Sequence, residues 1–145
     1  MKLEEMYREI ILDHYRHPHN YGELANADIK VKDSNPLCGD VITMQMNVNG
    51  GTIKDVKFVG RGCAISQASA SLLTDFVKGK KIDEIKKLDK NDVLNLLGIE
   101  ISYVRLKCAL LSLKVLKSGL YSYLGEKLDE DFTFNNETPK DKNKW

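Results

Sequence analysis

The chain has 145 residues, with 22 Lys and Arg against 21 Asp and Glu, a formal net charge of +1. That balance disfavours nucleic acid as a partner, which needs positive charge gathered on one face. Hydrophobic residues make up 42% of the chain, enough for a core that needs neither metal nor disulfide to fold.

The first residues, Met1-Lys2-Leu3-Glu4-Glu5-Met6, carry acid and no continuous apolar run, so no secretory signal is read there. No segment approaches the run of about 20 apolar residues that crosses a bilayer, so no membrane partner is expected. Leu3, Met6, Tyr7, Ile10 and Ile11 recur at helical spacing, which predicts an amphipathic helix over 3–16 that ends before Pro18. Ile29 and Val31 predict a strand over 28–34. From Val41 to Asn49 the residues alternate, with Ile42, Met44, Met46 and Val48 on one face. Asn49-Gly50-Gly51 then predicts a hairpin, because both Asn and Gly tolerate positive φ. The return strand holds Ile53, Val56 and Phe58, and the three strands should form an antiparallel meander.

After Gly60-Arg61-Gly62 the period changes to that of a helix, from Ala64 through Leu73 to Val77, stopping at Gly79. Two short helices are expected near Ile82–Lys87 and Lys90–Leu97, the second ended by Gly98. The last helix is expected from Val104 to Ser118, apolar on several sides as a helix against a sheet would be. The fold class is therefore α+β: a three-stranded antiparallel sheet packed against several helices. Residues 1–125 read as one domain. The Lys-, Asp-, Glu- and Asn-rich stretch 126–145, interrupted by Phe132 and Phe134, reads as a charged, mobile C-terminal tail.

Three cysteines, Cys38, Cys63 and Cys108, cannot all pair within one chain. A disulfide framework is disfavoured and a reducing, cytoplasmic setting is expected. Each lies near an expected element boundary: Cys38 with Asp40 between the first two strands, Cys63 where strand gives way to helix, Cys108 in the first turn or so of the last helix. Thiolates are the nucleophiles and metal ligands, and a helix N-terminus or a nearby cation favours them; Arg61 stands near Cys63, and Arg105 and Lys107 near Cys108. Three thiolates and the Asp40 carboxylate would carry four negative charges. Zn²⁺ and a [2Fe–2S] core of two ferric irons and two sulfides each carry two positive ones, so one cage suits either guest. An oxygen ligand among thiolates is the easier one to exchange.

Spacing alone leaves other readings open. The intervals between the cysteines match no local metal motif, and a free Cys is commonly a small buried hydrophobe. Arg61, Arg105 and Lys107 could be solvated surface charges. Gly39, Gly60 and Gly62 could be turn glycines and Asp40 a strand-end cap. The three histidines, His14, His17 and His19, could suggest a metal site, but His14 and His17 read better as complements to the C-terminal end of the first helix.

Three motifs in order carry a further signal. Asn35-Pro36-Leu37-Cys38-Gly39-Asp40, Gly60-Arg61-Gly62-Cys63-Ala64-Ile65-Ser66-Gln67-Ala68-Ser69-Ala70-Ser71 and Arg105-Leu106-Lys107-Cys108-Ala109 resemble the IscU/SufU/NifU N-terminal family of iron–sulfur cluster assembly scaffolds. The opening segment from Ile11 to Gly22 resembles that family too, and the likeness covers about residues 3–120. It implies that Cys38, Asp40, Cys63 and Cys108 gather at one exposed end and bind zinc or a transient [2Fe–2S] cluster. It implies a cysteine desulfurase partner, of SufS or IscS type, that delivers persulfide sulfur, with Cys108 (IscU branch) or Cys38 (SufU branch) as acceptor, and recipient apo-proteins.

Lys107 stands where IscU proteins carry His, as in SufU-like proteins. Ile101-Ser102-Tyr103-Val104-Arg105 lacks the prolines of the IscU chaperone segment, which puts a dedicated Hsp70 partner in doubt. The interval between Cys63 and Cys108 lacks the long SufU insertion. The chain is SufU-like by motif and IscU-like by length. Two functions are expected from it: a scaffold that is not itself an enzyme, or a zinc-dependent sulfurtransferase that relays sulfur without holding a cluster. A plain zinc-stabilised interaction domain and a papain-like hydrolase fit less well.

Overall fold

The computed structural model describes residues 2–125. In chain order the elements are α1 (Leu3–Arg16), β1 (Ile29–Asn35), β2 (Asp40–Asn49), β3 (Thr52–Arg61), α2 (Ala64–Val77), α3 (Ile82–Ile85), α4 (Lys90–Leu97) and α5 (Tyr103–Leu124). The strands form one antiparallel sheet in the order β1-β2-β3, as the meander reading expects. The expected tail over 126–145 lies outside the described residues. Among the described residues no helix is long and apolar enough to cross a membrane.

One face of the sheet is the core face. Ile42, Met44 and Met46 of β2 and Val56 and Phe58 of β3 are fully buried beneath α2 and α5. Lys30 and Lys57 belong to the alternate positions of their strands, which are less buried. A strict period of two would set Ile53 and Val56 on opposite faces, yet both are buried. The register explains it. Asn47 pairs with Asp55 and Val48 with Ile53, so Lys54 is the extra residue of a β-bulge that restores Ile53 to the core side.

The helices depart from expectation in three places. α3 is only four residues long. α5 runs on to Leu124 rather than stopping near Ser118, because Gly119 and Leu120 remain buried against the sheet. α1 has the expected bounds, but Leu3, Met6 and Ile10 are exposed, and within the helix only Ile11 and His14 are buried. His14 does not serve as a charged complement to the end of α1. Its Nδ1 bonds Ser71 Oγ of α2 at 2.7 Å, and burial, then the neighbouring His19, hold its pKa below the ordinary value, outweighing Asp75 and Asp13.

Small residues let α2 and α5 approach closely. Ser69 Oγ donates to the Ala109 carbonyl at 2.7 Å and lies 3.1 Å from Ser112 Oγ, both inside the buried seam. This bond sits one residue beyond Cys108, and so fixes the height of that thiol against the sheet.

Candidate metal centre

The core row of β2, followed back two residues from Ile42, ends on Asp40, which is completely buried. Asp40 pairs with Asn35 across the hairpin, and the turn between them carries Cys38. The Cys38 N–H donates to the Asn35 carbonyl at 3.1 Å, which sets Cys38 exposed at the rim. Cys108 comes from the other side. It lies in the second turn of α5, deeper than the first-turn reading expected, and is fully buried. Ligand atoms of Cys38, Asp40 and Cys108 all lie within 4.8 Å of one another, and the Cys108 and Cys38 sulfurs are 2.8 Å apart.

Cys63 is the N-cap of α2. Its sulfur accepts the Ser66 N–H at 3.5 Å, and the Ser66 hydroxyl donates to the Cys63 carbonyl at 3.1 Å. The thiol therefore faces the positive end of the helix dipole. Its sulfur lies 3.7 Å from Asp40 Oδ2, although it falls outside the tighter group of three. Asp40 Oδ1 accepts the Cys63 N–H at 2.8 Å, which locks the end of β3 to the end of β2. Gly62 makes this approach possible: at φ +139°, a Cβ there would stand 2.1 Å from Asp40 Oδ1.

The donor set fits the guests it was expected to hold. Zn–S bonds of about 2.3 Å imply sulfur–sulfur edges of about 3.8 Å in a tetrahedron, so entry of a metal needs the Cys38–Cys108 pair to open by only about 1 Å. Without metal, Cys108 is held as a thiol. Burial is the largest cause, followed by hydrogen bonds to Cys38 and Asp40 and by the charges of Cys63 and Asp40. A bound cation would reverse that balance and release the proton.

Arg61 and Arg105 are exposed, at the end of β3 and in the first turn of α5. Lys107 lines a cavity of about 180 Å³ with Ser34, Asn35, Pro36, Leu37, Leu111 and Lys114, beside the turn that carries Cys38. Asn35, missed as a site residue, is buried and sends its Nδ2 toward Cys108 Sγ at 3.9 Å. Its alternation with Ile29 and Val31 was the available signal, while its pairing with Asp40 is visible only in the fold.

The NifU-like N terminal domain family model matches residues 6–130. The zinc-dependent sulfurtransferase SufU of Bacillus subtilis is 38% identical over 135 residues, covering 81% of this chain and 91% of that protein. The iron–sulfur cluster assembly scaffold protein IscU of Escherichia coli K12 is 36% identical over 121 residues, covering 81% and 93%. Among solved structures, the SufU protein of Fervidobacterium islandicum AW-1 superposes with a TM-score of 0.71 at 30% identity, covering 82% of this chain and 99% of that one. A NifU-like N-terminal protein from Brucella abortus, at 20% identity and a TM-score of 0.70, shares the fold over 86% of this chain and 98% of its own.

Proposed function

The chain belongs to the NifU-like N-terminal domain family of iron–sulfur cluster assembly proteins, and on that premise we propose that it is a scaffold. It accepts persulfide sulfur from a cysteine desulfurase, and an external electron donor (a thiol or a one-electron carrier) brings that sulfur to sulfide. The resulting transient [2Fe–2S] cargo is held on Cys38, Asp40, Cys63 and Cys108 and passed to apo-proteins. The observation that carries this reading is the convergence of Cys38, Asp40 and Cys108, with the buried Asp40 also tied to Cys63. Three sulfurs retain the cargo, and one oxygen is the ligand most readily displaced. Exposed Cys38 is the thiol that an incoming persulfide reaches first, while Cys108 waits 2.8 Å behind it. Free thiols of this kind persist in a reducing compartment, and the cytoplasm is where we propose that the protein works.

A second reading has its own support. The Bacillus relative is a zinc-dependent sulfurtransferase, and Lys107 stands where the IscU pattern has His. In this reading Cys38, Asp40, Cys63 and Cys108 would hold zinc, which would keep their thiols deprotonated, and one of the cysteines carries sulfur onward. Anaerobic reconstitution with ferrous iron, cysteine, a desulfurase and excess dithiothreitol, which supplies the electrons that turn persulfide sulfur into sulfide, separates the two. A stoichiometric cluster that transfers to apo-ferredoxin supports the scaffold. Accelerated desulfurase turnover with zinc retained and no cluster formed supports the transferase and overturns the scaffold.

A further inference from the structure

Away from the cysteines, a second group of ligand-type side chains converges. His14 near the end of α1, His19 just beyond it and Asp75 of α2 each bring a ligand atom within 4.8 Å of the others. His19 Nδ1 lies 2.5 Å from Asp75 Oδ2, and the His14 and His19 ring centroids are 4.3 Å apart. From this geometry we infer that His14, His19 and Asp75 form a second metal site, a two-imidazole, one-carboxylate centre for a divalent ion of the zinc class.

An ordinary surface ion pair would need only His19 and Asp75. It leaves unexplained why a second imidazole, His14, is buried against the first. Two rings tilted at 46° with centroids 4.3 Å apart beside one carboxylate are a poor arrangement for protons, since charging both sets like charges together. A divalent ion instead takes both rings as neutral ligands and the carboxylate as the third.

The surroundings hold each ligand in place. His14 Nδ1 bonds Ser71 Oγ, and the tautomer that donates there leaves the Nε2 lone pair for a metal. The same Ser71 oxygen accepts the His19 backbone N–H at 2.8 Å, fixing where the second ring starts. Asn20 Nδ2 donates to Asp75 Oδ1 at 2.8 Å and to Thr74 Oγ1 at 3.1 Å, which occupies one carboxylate oxygen and leaves the other facing His19. Outer partners of this kind orient metal-binding His and Asp side chains.

Two nitrogens and one oxygen favour zinc or ferrous iron over magnesium or calcium, with zinc bound more tightly than ferrous iron. Three protein ligands leave a position for water or an exchangeable ligand. Asp75 lies twelve residues beyond Cys63 on the same helix, about 18 Å along its axis, so the two centres share no ligand. A metal here would clamp the exit of α1 to α2, the element on which α1 chiefly packs.

Anaerobic titration of the full chain with Co²⁺ tests the assignment. The wild type should bind one equivalent with intense sulfur-to-cobalt charge transfer and a second equivalent without it. His19 and Asp75 side chains are 48% and 44% exposed, so His19→Asn and Asp75→Asn can be made without opening the core. Each should weaken the second equivalent at least about tenfold and leave the charge-transfer equivalent unchanged. The inference is overturned if the wild type binds no equivalent that lacks charge transfer, or if that equivalent keeps its affinity in both variants. The cysteine centre is read separately by its charge-transfer band, so its failure would not be mistaken for failure here.

Discussion

Asp40 grips Cys63 with both carboxylate oxygens: Oδ1 accepts the Cys63 backbone N–H at 2.8 Å, and Oδ2 lies 3.7 Å from the Cys63 sulfur. The residue proposed to make the centre labile is thus also a brace between the ends of β2 and β3. Its charge and its hydrogen bond can be removed one at a time.

Asp40→Ala removes both. The half-buried Cys63 N–H loses its acceptor, which costs about 1 kcal/mol, while the exchangeable oxygen disappears from the centre. Asp40→Asn keeps a carbonyl for that N–H and removes the charge. Both variants should hold a reconstituted cluster longer than wild type, and only the alanine variant should melt at a clearly lower temperature. Decay of the cluster's visible absorbance and a thermal melt measure the two effects. Faster cluster loss in both variants would end the exchange-ligand role.

Gly62→Ala attacks the same brace from outside. The φ of +139° is already unfavourable for any residue with a Cβ, and the new methyl would sit 2.1 Å from Asp40 Oδ1 and 2.9 Å from Asp40 Cγ. It would also sit 2.8 Å from the Asp40 Cα, which no swing of the carboxylate clears, so the backbone between β2 and the end of β3 has to move. Backbone strain of this kind costs about 1–3 kcal/mol. Zinc binding at the cysteine centre should weaken at least tenfold, because Asp40 can no longer face Cys38 and Cys108. Zinc stoichiometry after desalting, read beside a urea melt, checks both parts. Full zinc retention would mean that Asp40 is not needed to hold the ion.

Local signals in the sequence sufficed where one residue decides the structure. Pro18 bounds α1 and Gly98 closes α4 in the left-handed conformation. The hairpin falls where Asn49-Gly50-Gly51 predicts it, but Gly50 and Gly51 are the two positive-φ turn residues while Asn49 ends β2 opposite Thr52. Cys63 could be read as a helix start because the residues after it change period. Other features depend on partners distant in sequence. The bulge at Lys54 breaks the alternation without any Gly or Pro to mark it. α5 is apolar nearly all round, so its pattern carries no phase from which to infer that Cys108 faces inward. Asp40 was visible as a ligand type, but its brace on Cys63 needs the β2–β3 register. His14 meets Ser71 across 57 positions, a contact that no spacing rule reports.

Gly119 tests how tightly α5 is seated. An alanine Cβ there would lie 2.8 Å from Val31 Cγ1, 3.0 Å from Ile29 Cγ2 and 3.3 Å from Met46 Cε. In an exposed helix, Gly→Ala gains about 1 kcal/mol. Here the two nearest methyls belong to the β-branched side chains of Val31 and Ile29 on β1, which have little rotamer freedom, and overpacking costs about 1–3 kcal/mol. Overpacking should win, and Gly119→Ala should unfold at lower urea than wild type. Adding Val31→Ala to Gly119→Ala should recover part of the loss, because it removes the nearest clash. An increase in stability for the single variant would show that the seam between α5 and β1 has room to give.

Cys108 supplies a pH dependence whose sign is fixed. Burial, then hydrogen bonds to Cys38 and Asp40, then the charges of Cys63 and Asp40 push its thiol above the ordinary value. In the unfolded chain a cysteine titrates near pH 8.5. Above that pH the unfolded state gives up a proton that the folded state keeps, so the folded state binds more protons and loses stability as pH rises. Below about pH 8 both states hold the proton and the contribution is fully present. The metal-free protein should therefore melt at progressively lower temperature from about pH 8 to pH 9.5, and Cys108→Ser should remove most of that slope. Zinc binding should run the other way. The metal requires the thiolate, so its affinity rises with pH over the same range and protons are released on loading. A thermal melt series with and without zinc, in wild type and Cys108→Ser, separates these trends. An equal slope in both metal-free proteins would mean that Cys108 titrates alike folded and unfolded.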